Sequence, residues 1–161
     1  MGYRQLVIAR KDLCMTPGKL SAQVSHASGA FLTHMIREHV IGEVFNGTGN
    51  KQEFMKPANV YRVESFDVDK DLYEQWIGGI FTKTVCEAKN RNHLLKVTKI
   101  ADELGLVENE DYFLIKDCCL TELEPEETDE NGVGRTLTCI GFKPLPDEIA
   151  HQLSKKYQLY R

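Results

Sequence analysis

Apolar residues recur along this chain in two rhythms, one of strands and one of helices. Leu6-Val7-Ile8-Ala9 is a continuous apolar run of strand length bounded by charge, and it predicts a buried strand over residues 3–9. After a short turn, Thr16 suits a helix N-cap and Pro17 the first helical position, where its missing N–H costs nothing. Leu20, Val24, Ala27 and Phe31 then recur at helical spacing, so a helix over residues 17–39 lays one apolar stripe on a sheet. Asn46-Gly47-Thr48-Gly49-Asn50 is a turn signal, and Tyr61-Arg62-Val63-Glu64 alternates as a short edge strand within residues 59–65.

Farther on, residues 69–77 read as a short helix ending at Gly78-Gly79, and residues 82–88 as a strand. A helix over residues 92–104 closes on Gly105 as its cap. Tyr112-Phe113-Leu114-Ile115 forms a third main strand and residues 135–142 a fourth, with Pro146-Asp147-Glu148 opening a last helix that ends near Tyr157. This alternation predicts an α/β fold: a small mixed four-stranded sheet, with room for one added edge strand, and helices on both faces. The length suits one domain over residues 1–161, and no repeat divides it.

Polar residues interrupt the first helix in a pattern of their own. Lys19, Gln23 and His26 stand four and three residues apart, so they project from one stripe beside the apolar one. A lysine in the first turn, at a helix end that already favours negative charge, suits an anionic or ester-bearing substrate. Asp117 ends an apolar strand, which would set its carboxylate at the C-terminal edge of the sheet, the usual ligand site of open α/β sheets. Thr121, four residues on, offers a hydroxyl.

The run R-K-D-L-x-M-x-x-G-K-x-x-A-Q-x-x-H-A between Arg10 and Ala27 resembles the opening signature of the archaeal and eukaryotic (type 2) peptidyl-tRNA hydrolase family. The likeness continues through Trp76, Gly78-Gly79, the strand at 82–88, the helix near 92–104, the strand at 113–117, Thr121 and the ending at 136–160. That family cleaves the ester joining a stalled peptide to its tRNA. The resemblance implies a metal-free and cofactor-free hydrolase with peptidyl-tRNA as its substrate partner, and members commonly form homodimers. Against its pattern, residues 40–75 form an enlarged insertion and the acidic loop after Thr121 is longer.

Hydrolysing such an ester requires an activated water, stabilised charge on the carbonyl oxygen, and held ribose and phosphates. Lys19 stands at the family's Gly-Lys position and fits charge stabilisation or phosphate holding. His26 offers an imidazole, a group that ionises near neutrality, as base or water orienter. Gln23 offers an amide to substrate or water. Asp117 and Thr121 match an Asp-x-x-x-Thr motif, the first holding Lys19 or His26 and the second binding substrate or water. Arg10, Lys11, Lys83, Lys96 and Lys99 are candidates for phosphate contact. Asp12 reads as a turn residue and Trp76 as a core anchor.

One segment departs from the family. Where its usual reading is Asp-Ala-Gly-Arg-Thr, this chain has Asp117-Cys118-Cys119-Leu120-Thr121. The arginine's bidentate donor is gone, and the missing glycine puts the loop's backbone path in question. The departure, with the insertion, motivates an alternative function: a non-catalytic RNA- or protein-binding descendant of the same fold. A thiol nucleophile at Cys118 or Cys119 beside His26 is a remoter option, and an esterase acting on another small substrate is a third reading.

Net charge is −4, which alone disfavours nucleic acid, yet its distribution is uneven. Residues 1–100 hold 14 Lys+Arg against 10 Asp+Glu, whereas residues 101–161 hold 6 against 14, so a locally positive face is compatible with an acidic whole. Five cysteines without a C-x-x-C pair argue against a disulfide framework or structural zinc and for a reducing compartment. No apolar stretch approaches the length of a membrane span and no leader pattern opens the chain, so a soluble cytoplasmic protein without membrane partners is expected.

Overall fold

The computed structural model describes residues 2–46 and 56–161. Its main sheet runs β5 (Tyr112–Asp117), β7 (Gly134–Phe142), β1 (Tyr3–Arg10), β4 (Lys83–Ala88) and β9 (Gln158–Leu159), with short β6 (Glu127–Thr128) on β7 and β8 (Leu145–Pro146) on β1. β1 and β4 are parallel, and every other pair in this sheet is antiparallel. The four main strands thus fall where periodicity placed them, and β9 extends the sheet beyond β4.

Helices cover both faces. α1 (Pro17–Glu38) packs on β7, β5 and β1, while α3 (Arg91–Glu103) and α4 (Asp147–Ser154) pack on the other side. Alternation along β1 divides its side chains between two cores. Leu6 and Ile8 join Leu94, Val97, Ala101 and Leu153 beneath α3 and α4, whereas Val7 and Ala9 meet Leu20, Val24 and Ala27 of α1. Gln5, fully buried, is held by α1: its amide donates to the Ser28 carbonyl at 2.8 Å and accepts from the Ser28 hydroxyl at 2.8 Å. Gly141 lets α1 press on β7, since a Cβ there would lie 2.4 Å from the Ala27 carbonyl oxygen.

Two segments take forms that periodicity alone did not specify. β3 (Lys56–Val63) adds nothing to the main sheet; it pairs antiparallel with β2 (Val40–Asn46) as a separate two-stranded ribbon. Residues 47–50 of the expected turn lie outside the described residues. The short helix α2 (Lys70–Leu72) runs on into a π-helical segment, Tyr73–Ile80, whose helical backbone is broken by a kink at Gly79 (φ −103, ψ −136), where the Gly78-Gly79 stop was expected. This segment seats Trp76, 1% exposed, as a core anchor whose indole donates to the Thr82 carbonyl at 2.8 Å. No helix among the described residues is long and apolar enough to cross a membrane.

Candidate active site

The C-terminal ends of β1 and β5 lie at one edge of the sheet, and the first turn of α1 rises beside them. Thr16 caps α1, its hydroxyl oxygen accepting from the Lys19 amide at 3.4 Å with Pro17 in the first turn. That hydroxyl also donates to Glu122 Oε1 at 2.6 Å, and the Thr16 amide donates to Glu122 Oε2 at 2.9 Å. These two donors hold the Glu122 carboxyl below its ordinary range. Glu122 thereby clamps the loop that follows β5 onto the start of α1.

Between these two segments the Lys19 ammonium sits 2.8 Å from Asp117 Oδ2 and donates to Thr121 Oγ1 at 3.0 Å. Gln23, one turn along α1, donates its amide to the same Asp117 oxygen at 2.8 Å, and the Cys119 amide donates to Asp117 Oδ1 at 2.9 Å. Burial pushes the Asp117 carboxyl up. The Lys19 hydrogen bond, the Cys119 amide, the Lys19 charge and the Gln23 amide together outweigh it and hold the group below the usual carboxylate range. A carboxylate only accepts, so Gln23 must turn its NH2 toward Asp117 and its carbonyl away. That carbonyl accepts from the buried Thr138 hydroxyl at 2.7 Å.

Thr138 reaches Gln23 because β7 carries a bulge. Ile115 lies opposite Cys139 and Lys116 opposite Leu137, which leaves Thr138 as the extra residue. The loop between β5 and β6 keeps a glycine-like path without a glycine: Cys119 adopts φ 55, in the left-handed region, and this bend lets its amide turn back on Asp117. The loop therefore holds Asp117 and Thr121 in place despite the altered residues. Leu120, 83% exposed, projects from it into solvent. The Cys119 thiol faces the Asp117 carbonyl and Thr136 Oγ1 at 3.5 and 3.4 Å, with no hydrogen bond to His26 among the described residues.

Of the expected site residues, Lys19, Gln23, Asp117 and Thr121 come together in one cluster. Gln23 differs from expectation in its exposure: at 2% exposed it holds Asp117 instead of presenting its amide to substrate. His26 stands exposed one turn beyond Gln23 and lines an adjoining groove. Arg10 requires correction. It is 3% exposed, and all five of its N–H donors are used, on Asp12, Glu126 and the Leu137 carbonyl, so none remains for a phosphate.

The other cations divide by position. Lys11 lies at the site's edge of the sheet but pairs with Glu87 at 3.5 Å and covers the Tyr160 ring. Lys83 begins β4, at the opposite edge, with its ammonium 3.3 Å from the Phe81 ring centroid; it does not join the cluster. Lys96 and Lys99 belong to α3, across the sheet from α1. Sequence reasoning missed Glu122 and Thr138. Nothing local distinguishes Glu122 within a run of carboxylates, but two threonines at the head of the apolar run 136–142, Thr136 and Thr138, do signal buried partners.

Fold and site together define an α/β protein with a lysine–carboxylate–hydroxyl cluster at the sheet edge. The family model for peptidyl-tRNA hydrolase PTH2 matches residues 3–160, and the chain belongs to that family. It is similar to peptidyl-tRNA hydrolases of Methanopyrus kandleri, 29% identical over 160 residues, and Thermoplasma acidophilum, 27% identical over 159 residues, with 99% of each chain covered in both comparisons. That of Thermococcus sibiricus is 25% identical over 157 residues, covering 98% of this chain and 97% of the relative.

Proposed function

We propose that this chain hydrolyses the ester between a peptide, or an N-blocked amino acid, and tRNA, with its chemistry at the Lys19–Asp117–Thr121 cluster. The observation that carries this reading is the Lys19 ammonium shared between Asp117 and Thr121 in a member of the peptidyl-tRNA hydrolase family. Two of the three ammonium donors are taken, and the third is available to the oxygen that becomes negative as water adds to the ester carbonyl. Thr121 accepts from Lys19, so its own hydrogen is left to donate to the substrate. Asp117, held ionised, and Gln23 and Thr138 behind it keep the lysine aimed. His26 takes a proton from the attacking water and returns it to the ribose oxygen that leaves.

The glycine-like turn at Cys119 favours this reading over a non-catalytic binding descendant, because it lets both the Asp117 carboxylate and the Thr121 hydroxyl meet Lys19. We take the chain as one hydrolase domain with residues 40–75 as its insertion, acting in the cytoplasm as a homodimer without cofactor. The test is release of N-acetylated amino acid from tRNA by purified protein, with Lys19→Ala beside it. Cleavage that Lys19→Ala lowers by about a hundredfold or more supports the assignment; equal turnover in both proteins overturns it. Light scattering on the same preparation checks the dimer.

A further inference from the structure

A groove of about 540 Å3 adjoins the cluster, between α1 and β5. It opens at His26 and continues to Arg37 in the last turn of α1, with Phe113 and Asn109 on the opposing wall. At about 1.5 Å of rise per residue, the stretch from His26 to Arg37 is roughly 16 Å long. At Gly29 the α1 wall carries no side chain, and a Cβ there would face open space.

The groove's chemistry is one-sided. His26, His34 and Arg37 bring positive or protonatable groups to it, and among the described residues no carboxylate lines it, although acids outnumber Lys and Arg by 24 to 20 in the chain. Among the described residues none of the three enters an ion pair. The His34 ring leans on Phe113, with centroids 5.6 Å apart and planes at 55°. Phe113 is buried and braces the imidazole, which lines the groove.

An arbitrary peptide has no general use for such a lining, because its charges vary and are mostly absent. A single RNA strand does, because it carries a phosphate at every nucleotide and flat bases that stack on rings. We infer that this groove holds the single-stranded 3′ end of the substrate's tRNA, leading away from the ester at Lys19, with Arg37 and His34 on the phosphates and the braced His34 ring under a base. The inference rests on the hydrolase reading for its substrate, but binding tests it independently of catalysis.

The experiment uses the full chain and a 5′-fluorescein-labelled single-stranded RNA hexamer with the tRNA 3′ sequence, followed by fluorescence polarisation across a salt series. Arg37→Glu is expected to weaken binding about tenfold and to lower the slope of log affinity against log salt by about one. Arg37→Gln, which removes the charge alone, and His34→Ala should weaken it less. Lys156→Glu makes the same charge change at an exposed position past α4, on the opposite face, and should leave binding as it was. Thermal melts show that each variant is folded. Arg37→Glu binding like the unaltered protein, or Lys156→Glu weakening it equally, overturns the proposal. So does a rise in KM for tRNA ester cleavage in Arg37→Glu with RNA binding unchanged, which assigns the groove to the peptide. Arg37-dependent RNA binding by a protein that cleaves nothing leaves the groove assignment standing and removes the hydrolase reading.

Discussion

The Lys19 ammonium and the Asp117 carboxylate meet at 2.8 Å with side chains only 13% and 9% exposed, so each charge is sheltered mainly by the other. Taking water away strengthens their attraction and makes either one costly to leave alone. The same shelter holds the lysine ready for a developing negative charge, because the ammonium has little freedom to reorient.

Lys19→Ala should lower kcat/KM for N-acetyl-aminoacyl-tRNA by about a hundredfold to a thousandfold, the usual effect of losing one preorganised donor. The fold should persist with a lowered melting temperature, since stranding a sheltered charge costs about 3–5 kcal/mol and about 1 kcal/mol corresponds to roughly 2–4 °C at this size. Steady-state kinetics and a thermal melt on one preparation separate lost chemistry from lost structure.

Acid should erase the contribution of Asp117 to stability. Its carboxyl titrates below the ordinary 3.8 in the folded protein, because its hydrogen bonds and the Lys19 charge outweigh burial. A depressed folded value means that the stabilisation is fully present above the unfolded value and is lost as pH falls through the folded one. Urea midpoints of the unaltered protein and Asp117→Asn should therefore differ most near pH 7 and converge as pH drops below about 4. A gap that widened with acid would show that Asp117 is protonated in the native state.

Thr138→Val is nearly isosteric and removes the donor that faces the Gln23 carbonyl. With Gln23 buried, the orphaned oxygen should cost about 1–3 kcal/mol in chemical denaturation. The loosened amide should also reduce kcat more than it raises KM, since Gln23 supports Asp117 and does not face solvent.

The left-handed backbone at Cys119 separates two substitutions that composition alone would rank together. Cys119→Gly relieves the Cβ conflict at φ 55 and should fold with stability within about 1 kcal/mol of the original, because greater freedom of the unfolded chain offsets the relief. Cys119→Val places a β-branched side chain at positive φ and should destabilise by about 1–3 kcal/mol while weakening the amide bond to Asp117. Denaturation midpoints and turnover should fall together only in the valine variant.

Gly141→Ala should damage stability and turnover together, although it lies away from the cluster. Its Cβ would meet the Ala27 backbone at 2.4 to 2.9 Å, so α1 must shift bodily. Overpacking of this kind costs about 1–3 kcal/mol, and a displaced α1 carries Lys19 and Gln23 away from Asp117. Loss of melting temperature and of kcat should therefore appear in one variant.

What the chain determined by itself was local. The apolar run before Arg10, the Thr16-Pro17 start and the helical spacing of Leu20, Val24, Ala27 and Phe31 specify β1 and α1, because strand and helix periods depend only on near neighbours. Lys19 and Gln23 share a stripe for the same reason, and Asp117 reaches the sheet edge because its strand ends there. Tertiary structure decided everything that depends on which distant segments lie together. Arg10 turned inward because Glu126 and Asp12 met all its donors, and Lys83 fell at the wrong edge because β4 runs parallel to β1. Glu122 found Thr16 only when the loop after β5 folded over α1, and the Thr138 bulge arose from the register of β7 against β5. Side-chain type and spacing state what a residue can do. Its partners depend on strand order and register, which long-range packing sets.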